Sequence, residues 1–378
     1  MSENRPSNWR VDADVQRAST PPPAFYSDPE VYRLTREAVF ARSWQWVPDA
    51  ERVFDPAVTA APFTLLPGLL DEPLIATREG DALRALSNAC THRGMLVAER
   101  CSAAKGLRCG YHGRRFGLDG KFLSAPGFED ALDFPKPEDD LAQIPFERFG
   151  PLAFTNLAGE SPFAPFFEPV RRRVGHLPID RAVHEPARDR IFTIDAHWAL
   201  YVENYLEGLH IPYIHPGLAQ TLEFANYGYE LFPGGTLQLG RAAAGEPAFL
   251  LPPGHPDAAD SAPGSAPVAA WYFWLFPNLM VNVYPFGVSM NVVQPLGPAR
   301  TRILFKSYVF DADQLGAGAG GDLDTVERED ELAVEAVQRG LTARLYRRGR
   351  YAPSHEQGTH HFHRLWGAAL DAGAGSSR

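Results

Sequence analysis

The chain has 378 residues, 45% of them hydrophobic, and a net charge of −10, enough for one large domain or two ordinary ones with a sizeable core. Its basic residues form no cluster beyond short runs such as 171–173 and 347–350, which argues against nucleic acid as a partner, and no apolar run approaches the roughly 18–20 residues of a membrane span. Three cysteines cannot build a disulfide framework and the start, MSENRPSNWR, lacks a signal-peptide core, so the expected setting is cytoplasmic.

Residues 1–24 are polar and proline-bearing and read as an extended arm. Ser27-Asp28-Pro29-Glu30 is a helix start, with a capping residue, an early proline and an acidic first turn. Val31, Leu34, Ala38 and Ala41 follow at helical spacing, and the helix is expected to end near Trp44–Trp46, ahead of Pro48. From Val53 to about Leu157 short apolar runs alternate with Gly and Pro, among them 63–66, 74–77, 83–87 and 107–109. This predicts an antiparallel β domain that holds all three cysteines. Residues 158–189 read as a proline-rich crossing, and 190–194 as a strand leading into a helix from His197. The Ala/Pro/Gly-rich stretch 242–269 reads as a loop and a candidate mobile lid. Four strands are expected at 271–276, 279–284, 288–294 and 301–310, then a Gly/Ala loop over 311–322. Asp324–Leu345 carries the capping signal Asp324-x-x-Glu327 and predicts a helix. The last eight residues read as a loose tail.

Two short motifs carry chemistry in the β domain: Cys90-Thr-His92-Arg-Gly and Cys109-Gly-Tyr-His112-Gly. Each offers one thiolate and one imidazole, and each ends in glycine, which permits a tight loop. Two cysteines on one iron and two histidines on the other is Rieske [2Fe–2S] ligation. The rival is a Cys₂His₂ zinc site, but zinc sites favour pairs of like ligands, whereas each half here mixes them. Cys101, between the halves, fits a small buried hydrophobe or a free thiol better than a ligand.

A third motif, Glu203–His215 (ENYLEGLHIPYIH), begins as a helix on which Glu207 and His210 share a face. Pro212 should break it after His210. The break would let His210 and His215 turn toward one point, since five residues apart on a continuous helix they would face apart. Two histidines and a carboxylate make the facial triad of a non-haem Fe(II) site. Two structural histidines at a helix end is the plainer alternative. For the carboxylate, Asp330 falls on the stripe it shares with Val334, Val337 and Leu341. A carboxylate facing a core is costly unless paired or metal-bound. Glu327, one turn earlier on that face, competes. His355, Glu356, His360, His361 and His363 lack a clean ligand spacing and read as surface or supporting groups.

Together, C-x-H-R-G…C-x-Y-H-G and E-N-x-x-E-x-x-H-x-x-x-x-H resemble the α subunit of Rieske non-haem iron oxygenases, over about Phe25 to Trp366. The resemblance implies an α+β fold: an antiparallel β Rieske domain plus a helix-grip catalytic domain whose antiparallel sheet is covered by helices. The expected boundaries are 1–45 for an arm and helix packing with the catalytic domain, 46–157 for the Rieske domain and 158–378 for the catalytic domain. Cys90 and Cys109 would hold one cluster iron, His92 and His112 the other, and His210 and His215 the catalytic iron. The family's pattern, an acidic pair before an apolar helix continuing to Gln-x-Gly-Leu, is matched by Glu329-Asp330…Gln338-Arg-Gly-Leu and favours Asp330 as third ligand. Glu207 would bridge His210 to His112 of a neighbouring subunit, implying head-to-tail contacts and a homotrimer. Electrons from NAD(P)H would arrive through a separate flavin/iron-sulfur reductase, and O₂ would be activated to hydroxylate, or oxidatively dealkylate, a small organic substrate.

Glu207 departs from the aspartate usual in ring-hydroxylating dioxygenases and is similar to the carnitine oxygenase pattern. This leans toward monooxygenation of quaternary ammonium compounds. Tyr213, Phe224, Tyr227, Tyr229, Trp271, Phe273 and Tyr284 could wall such a cation, pack an arene or serve as core. The alternatives are an aromatic-ring or aromatic-acid hydroxylating oxygenase, a Rieske electron-transfer protein without oxygenase activity, and a zinc-stabilised binding protein.

Overall fold

A computed structural model describes residues 9–215, 228–243, 245–258, 266–316 and 323–376. The chain divides into two compact units, one of 41–163 and one of 1–40 with 164–378.

In the smaller unit the alternating runs pair as hairpins. Ala60–Leu65, Glu72–Glu79, Ala82–Ser87 and Gln143–Ile144 form an antiparallel sheet in that order. A second sheet joins Leu107–Arg108, Arg115–Phe116 and Phe122–Ser124. Ile75, Leu86, Leu107, Phe116, Leu118 and Leu141 close a core that includes Cys90 and Cys109. A third sheet pairs Gln45–Trp46 with Leu152–Thr155 and that with Phe146–Phe149.

That third sheet corrects one expectation. The helix from Asp28 covers Pro29–Ala38, with the Asp28 carboxylate accepting from Glu30 N–H at 2.8 Å. It stops well short of Trp44–Trp46, because the backbone of Gln45 and Trp46 is taken by strand pairing with Thr155 and Phe154.

The larger unit is built on an eight-stranded antiparallel sheet. The order runs Val183–His184, Arg300–Val309, Gly287–Gly297, Leu279–Tyr284, Val268–Leu275, Gly235–Arg241, Gly228–Phe232, with Arg190–Ile194 also on Arg300–Val309. The four strands expected from 271 onward form its centre. Trp198, Trp274, Phe362 and Trp366 are fully buried, and Trp198 and Trp274 meet Phe362 edge-on at 5.5 and 5.4 Å. They seat helices Trp198–Tyr205 and Gln357–Ser376 on the sheet.

Two expectations fail here. The proline-rich crossing contains a helix, Phe163–Val174, whose Phe163, Phe167, Val170 and Val174 are buried at helical spacing despite Pro169. The expected tail is helical to Ser376; its small residues allow close packing, with Gly373 against Ala38 leaving no room for a Cβ. The loop expected over 242–269 makes buried contacts where it is described. Asp257 accepts from Arg173 Nε and Trp271 Nε1, both at 2.8 Å, and Phe249 and His255 are buried.

Candidate metal centres

Helix Trp198–Tyr205 ends two residues before Glu207, earlier than expected, and Gly208 carries the turn. Pro212 does not break a helix; it opens a short one, Ile211–Ile214, for which His210 is the N-cap. This places His210 and His215 with ring centroids 5.2 Å apart.

Asp330, from helix Leu323–Gly340, reaches both. Its Oδ1 lies 2.9 Å from His215 Nε2 and 3.7 Å from His210 Nε2. One ligand atom from each of the three residues lies within 4.8 Å of the others. The outer nitrogens are held by acids: His210 Nδ1 lies 2.7 Å from Glu207 Oε1, and His215 Nδ1 2.7 Å from Glu329 Oε2. The second oxygen of Glu207 accepts from the backbone N–H groups of Leu209 and His210. Asn204 Nδ2 donates to Asp330 Oδ1 at 2.6 Å. Two imidazole Nε2 atoms and one carboxylate oxygen, each ring fixed through its other nitrogen, suit Fe(II).

Burial alone would pull the His215 imidazole down, but Asp330 and Glu329 outweigh it and push it up to about 9. Without a metal this ring therefore carries a proton at neutral pH, and a cation bound there must displace it. Glu327 is turned away from the three. It is buried against the Tyr201 hydroxyl, which donates to it. Burial pushes its carboxyl up to about 8, with Asp330 and Glu331 adding to the effect against the pull of Tyr201. The apolar stripe expected beyond Asp330 is partial: Val334 is buried but Val337 is 49% exposed. That part of the helix faces polar work, since Glu335 and Gln338 accept from the Asp195 and His197 N–H groups.

In the smaller unit the two cysteine–histidine loops share one construction. Gly94 N–H donates to Cys90 O at 2.8 Å and Gly113 N–H to Cys109 O at 3.2 Å. Both glycines have φ above +70° (72° and 74°), a conformation that disfavours any side chain. Cys90 and Cys109 are buried free thiols in contact with each other. Burial pushes the Cys90 thiol up, Cys109 adds to this, and the His92 N–H and Arg114 oppose it. The rings of His92 and His112 lie 4.6 Å apart, and His92 Nδ1 is buried without a hydrogen-bond partner. Two adjoining thiols and two adjoining imidazoles, one with an orphaned buried nitrogen, fit a [2Fe–2S] cluster. Cys101 is exposed; it is a free thiol, and not a buried hydrophobe.

The other expected positions sort out by packing. Among the aromatic candidates Trp271, Phe273 and Tyr284 are core, Tyr229 donates to Gln238 Oε1 at 2.9 Å, and Tyr213 is 83% exposed; Phe224 and Tyr227 lie outside the described residues. His355 is exposed, but the other histidines of that group are internal struts. His360 Nε2 lies 2.7 Å from Asp12 O and His361 Nε2 2.9 Å from Phe232 O. His363 stands between Tyr351, at 2.7 Å, and Glu203, at 2.9 Å, and Tyr26 OH donates to the same Glu203 oxygen at 2.8 Å. Neither the contact of Glu329 with His215 nor this Glu203 chain was expected from sequence. The acidic neighbour of Asp330 was the available signal for the first, and nothing in sequence joins Glu203 to His363.

Comparison with known proteins shows the family. Residues 176–372 match the family model "Ring hydroxylating alpha subunit (catalytic domain)", and residues 64–138 match "Rieske [2Fe-2S] domain". The chain belongs to the ring-hydroxylating oxygenase α-subunit family. It is a Rieske non-haem iron oxygenase, with a [2Fe–2S] cluster, iron and O₂ as the cofactors of its chemistry. It is similar to the chloroplastic choline monooxygenase of Arabidopsis thaliana, 29% identical over 93% of this chain and 83% of the relative. It is equally similar to the carnitine monooxygenase oxygenase subunit of Escherichia coli K12, 29% identical over 93% of this chain and 94% of that one. Among solved structures, the quaternary ammonium Rieske monooxygenase CntA with L-carnitine superposes with a TM-score of 0.72 at 24% identity, covering 97% of this chain and 99% of that chain. Naphthalene 1,2-dioxygenase from Rhodococcus sp. shares the fold, with a TM-score of 0.69 at 19% identity over 93% of this chain and 94% of that chain. Among the described residues no helix is long and apolar enough to cross a membrane.

Proposed function

We propose that this oxygenase hydroxylates a quaternary ammonium compound. The 41–163 unit would carry the cluster on Cys90, Cys109, His92 and His112, and the larger unit the catalytic iron on His210, His215 and Asp330. The observation that carries the iron site is the convergence of these three side chains within 4.8 Å. Support for the substrate class comes from the choline and carnitine monooxygenases to which nearly the whole chain is similar, and from Glu207 in place of aspartate.

The bound iron would supply a place for O₂ reduction, using one electron from the cluster and one from its own ferrous state. The side chains do the rest. Glu207 and Glu329 fix which nitrogen of each imidazole faces inward. Asn204 holds one oxygen of Asp330. Glu207 retains acceptor capacity on Oε1 beyond its bond to His210, so His112 of a neighbouring copy can share it in a head-to-tail trimer. Electrons would come to the cluster held by Cys90, Cys109, His92 and His112 from NAD(P)H through a separate reductase. Overall a C–H bond, O₂, two electrons and two protons give C–OH and water; a hydroxyl on the carbon bearing nitrogen then expels the amine and leaves a carbonyl.

The test is reductase-coupled O₂ uptake by the iron-loaded protein with choline, carnitine, betaines and aromatic acids, with product identified. Coupled oxidation of one of the ammonium substrates is expected. Turnover of aromatic acids alone would move the assignment to the aromatic-acid hydroxylases.

A further inference from the structure

The unit 41–163 buries a charge that ligation does not account for. Arg114, two residues past His112, is 3% exposed. Its guanidinium carbon lies 5.2, 5.1 and 5.2 Å from the ring centroids of Phe122, Phe128 and Phe134. Nη1 donates to Thr91 Oγ1 at 2.8 Å and to Asp139 Oδ1 at 3.2 Å, and Thr91 Oγ1 donates to Asp139 O at 2.8 Å. Nε is buried without a partner.

The connectivity gives this residue a particular reach. Thr91 sits between Cys90 and His92, and Arg114 O accepts from Cys109 N–H at 2.9 Å. One residue thus ties both ligand loops together. Phe128 touches both sides as well, meeting the His92 ring edge-on at 5.2 Å.

A neutral donor such as glutamine could serve Thr91, and a neutral ring could fill the aromatic box. Burying a full charge is costly, so the charge itself needs a reason. Arg114 brings its charge to both ligand loops: its side chain reaches Thr91, between Cys90 and His92, and its backbone oxygen accepts from Cys109 N–H, so its field acts at the place where the cluster's charge changes. Asp139, 21% exposed, offsets part of that field from the solvent side.

We propose that Arg114 sets the reduction potential of the cluster. Its fixed positive charge stabilises the reduced state, and its hydrogen bonds hold the two ligand loops in register. The inference rests on the reading that Cys90, His92, Cys109 and His112 carry a [2Fe–2S] cluster. On reduction, one electron from the external donor converts one ferric iron to ferrous and makes the cluster more negative by one charge; no bond to Arg114 forms or breaks. Arg114 is a positioning residue that acts through its charge and through Thr91.

Redox titration of the full-length protein, followed by visible absorption and electron paramagnetic resonance, tests this. In Arg114→Gln the ratio of reduced to oxidised cluster at a fixed potential is expected to fall about tenfold, which is about 59 mV for a one-electron couple. Asp139→Asn should shift the potential the opposite way, upward. Arg114→Lys should stay close to the native value, because the charge remains. Unchanged potentials in Arg114→Gln and Asp139→Asn, or shifts of the same sign in both, overturn the proposal. If Arg114→Gln fails to retain its cluster, the other two variants decide: a rise in Asp139→Asn with little change in Arg114→Lys supports it, and no rise overturns it. A native protein lacking the spectra of a Rieske cluster overturns the underlying reading, and the proposal with it.

Discussion

The two centres are built in opposite ways. The candidate cluster ligands come from two short loops, each closed by its own glycine and backbone hydrogen bonds, with few side-chain partners and a buried arginine nearby. The candidate iron ligands bring two histidines from one turn together with an aspartate more than a hundred residues on, and the outward nitrogen of each imidazole meets a carboxylate. The first site is local and lies beside a positive charge. The second is assembled by tertiary packing and is surrounded by acids. A loop motif can fix ligands by backbone alone, whereas a long-range site needs supporting side chains to hold each ring.

The contrast is most severely tested at Asp330. Asp330→Ala should remove the catalytic iron while leaving the cluster's absorption intact, and abolish product formation. Loss of a mere supporting partner costs about 10–100-fold in metal affinity, so loss of a ligand should exceed that. Metal analysis and product assays read both effects, and loss of the cluster as well would break the claim that the sites are built independently.

Glu329→Ala probes the support itself. Removing the acceptor at His215 Nδ1 should weaken iron binding about 10–100-fold, measured by competition with a chelator, with the cluster unaffected.

A pH series sharpens the electrostatic half of the comparison. His215 is raised to about 9 in the metal-free protein, against an ordinary histidine near 6.5. The folded state therefore binds this proton more tightly than the unfolded chain. Its stabilising contribution is complete below about 6.5 and is lost as pH rises through about 9. Thermal melting of the iron-free protein should fall across that window. Iron binding should strengthen over the same window as the competing proton leaves. A melting temperature that rises with pH in the iron-free protein would contradict the pairing of His215 with Asp330 and Glu329.

The smallest effect is expected at Cys101. Cys101→Ser, at an exposed thiol, should change stability by no more than about 0.5 kcal/mol and leave the cluster spectrum untouched.

Legibility in the sequence followed the same division. The motifs at Cys90 and Cys109, the strands of the β unit and the central strands from 268 to 309 announce themselves because their signals are local: glycine turns, alternation and β-branched runs. His210 and His215 were legible as a pair, although the turn between Tyr205 and His210 was misplaced because a proline in the first helical turn resembles a helix breaker. Helix Phe163–Val174 was hidden by its prolines, and helix Gln357–Ser376 by glycines and alanines that look like a tail. Glu329 and Glu203 could not be assigned partners beforehand, since proximity to His215 and His363 exists only once the helices have packed.

That last pairing reaches beyond architecture. Glu203 precedes Asn204, which steadies Asp330, and Glu203 is itself gripped by Tyr26 near the start of the chain and His363 near its end. Removing the segment from His363 onward takes away one of the two groups that grip Glu203 and is expected to lower iron occupancy, read by metal analysis, though every metal-binding side chain survives. Through Glu203 the far end of the chain is thus tied by hydrogen bonds to the neighbourhood of the candidate iron ligands.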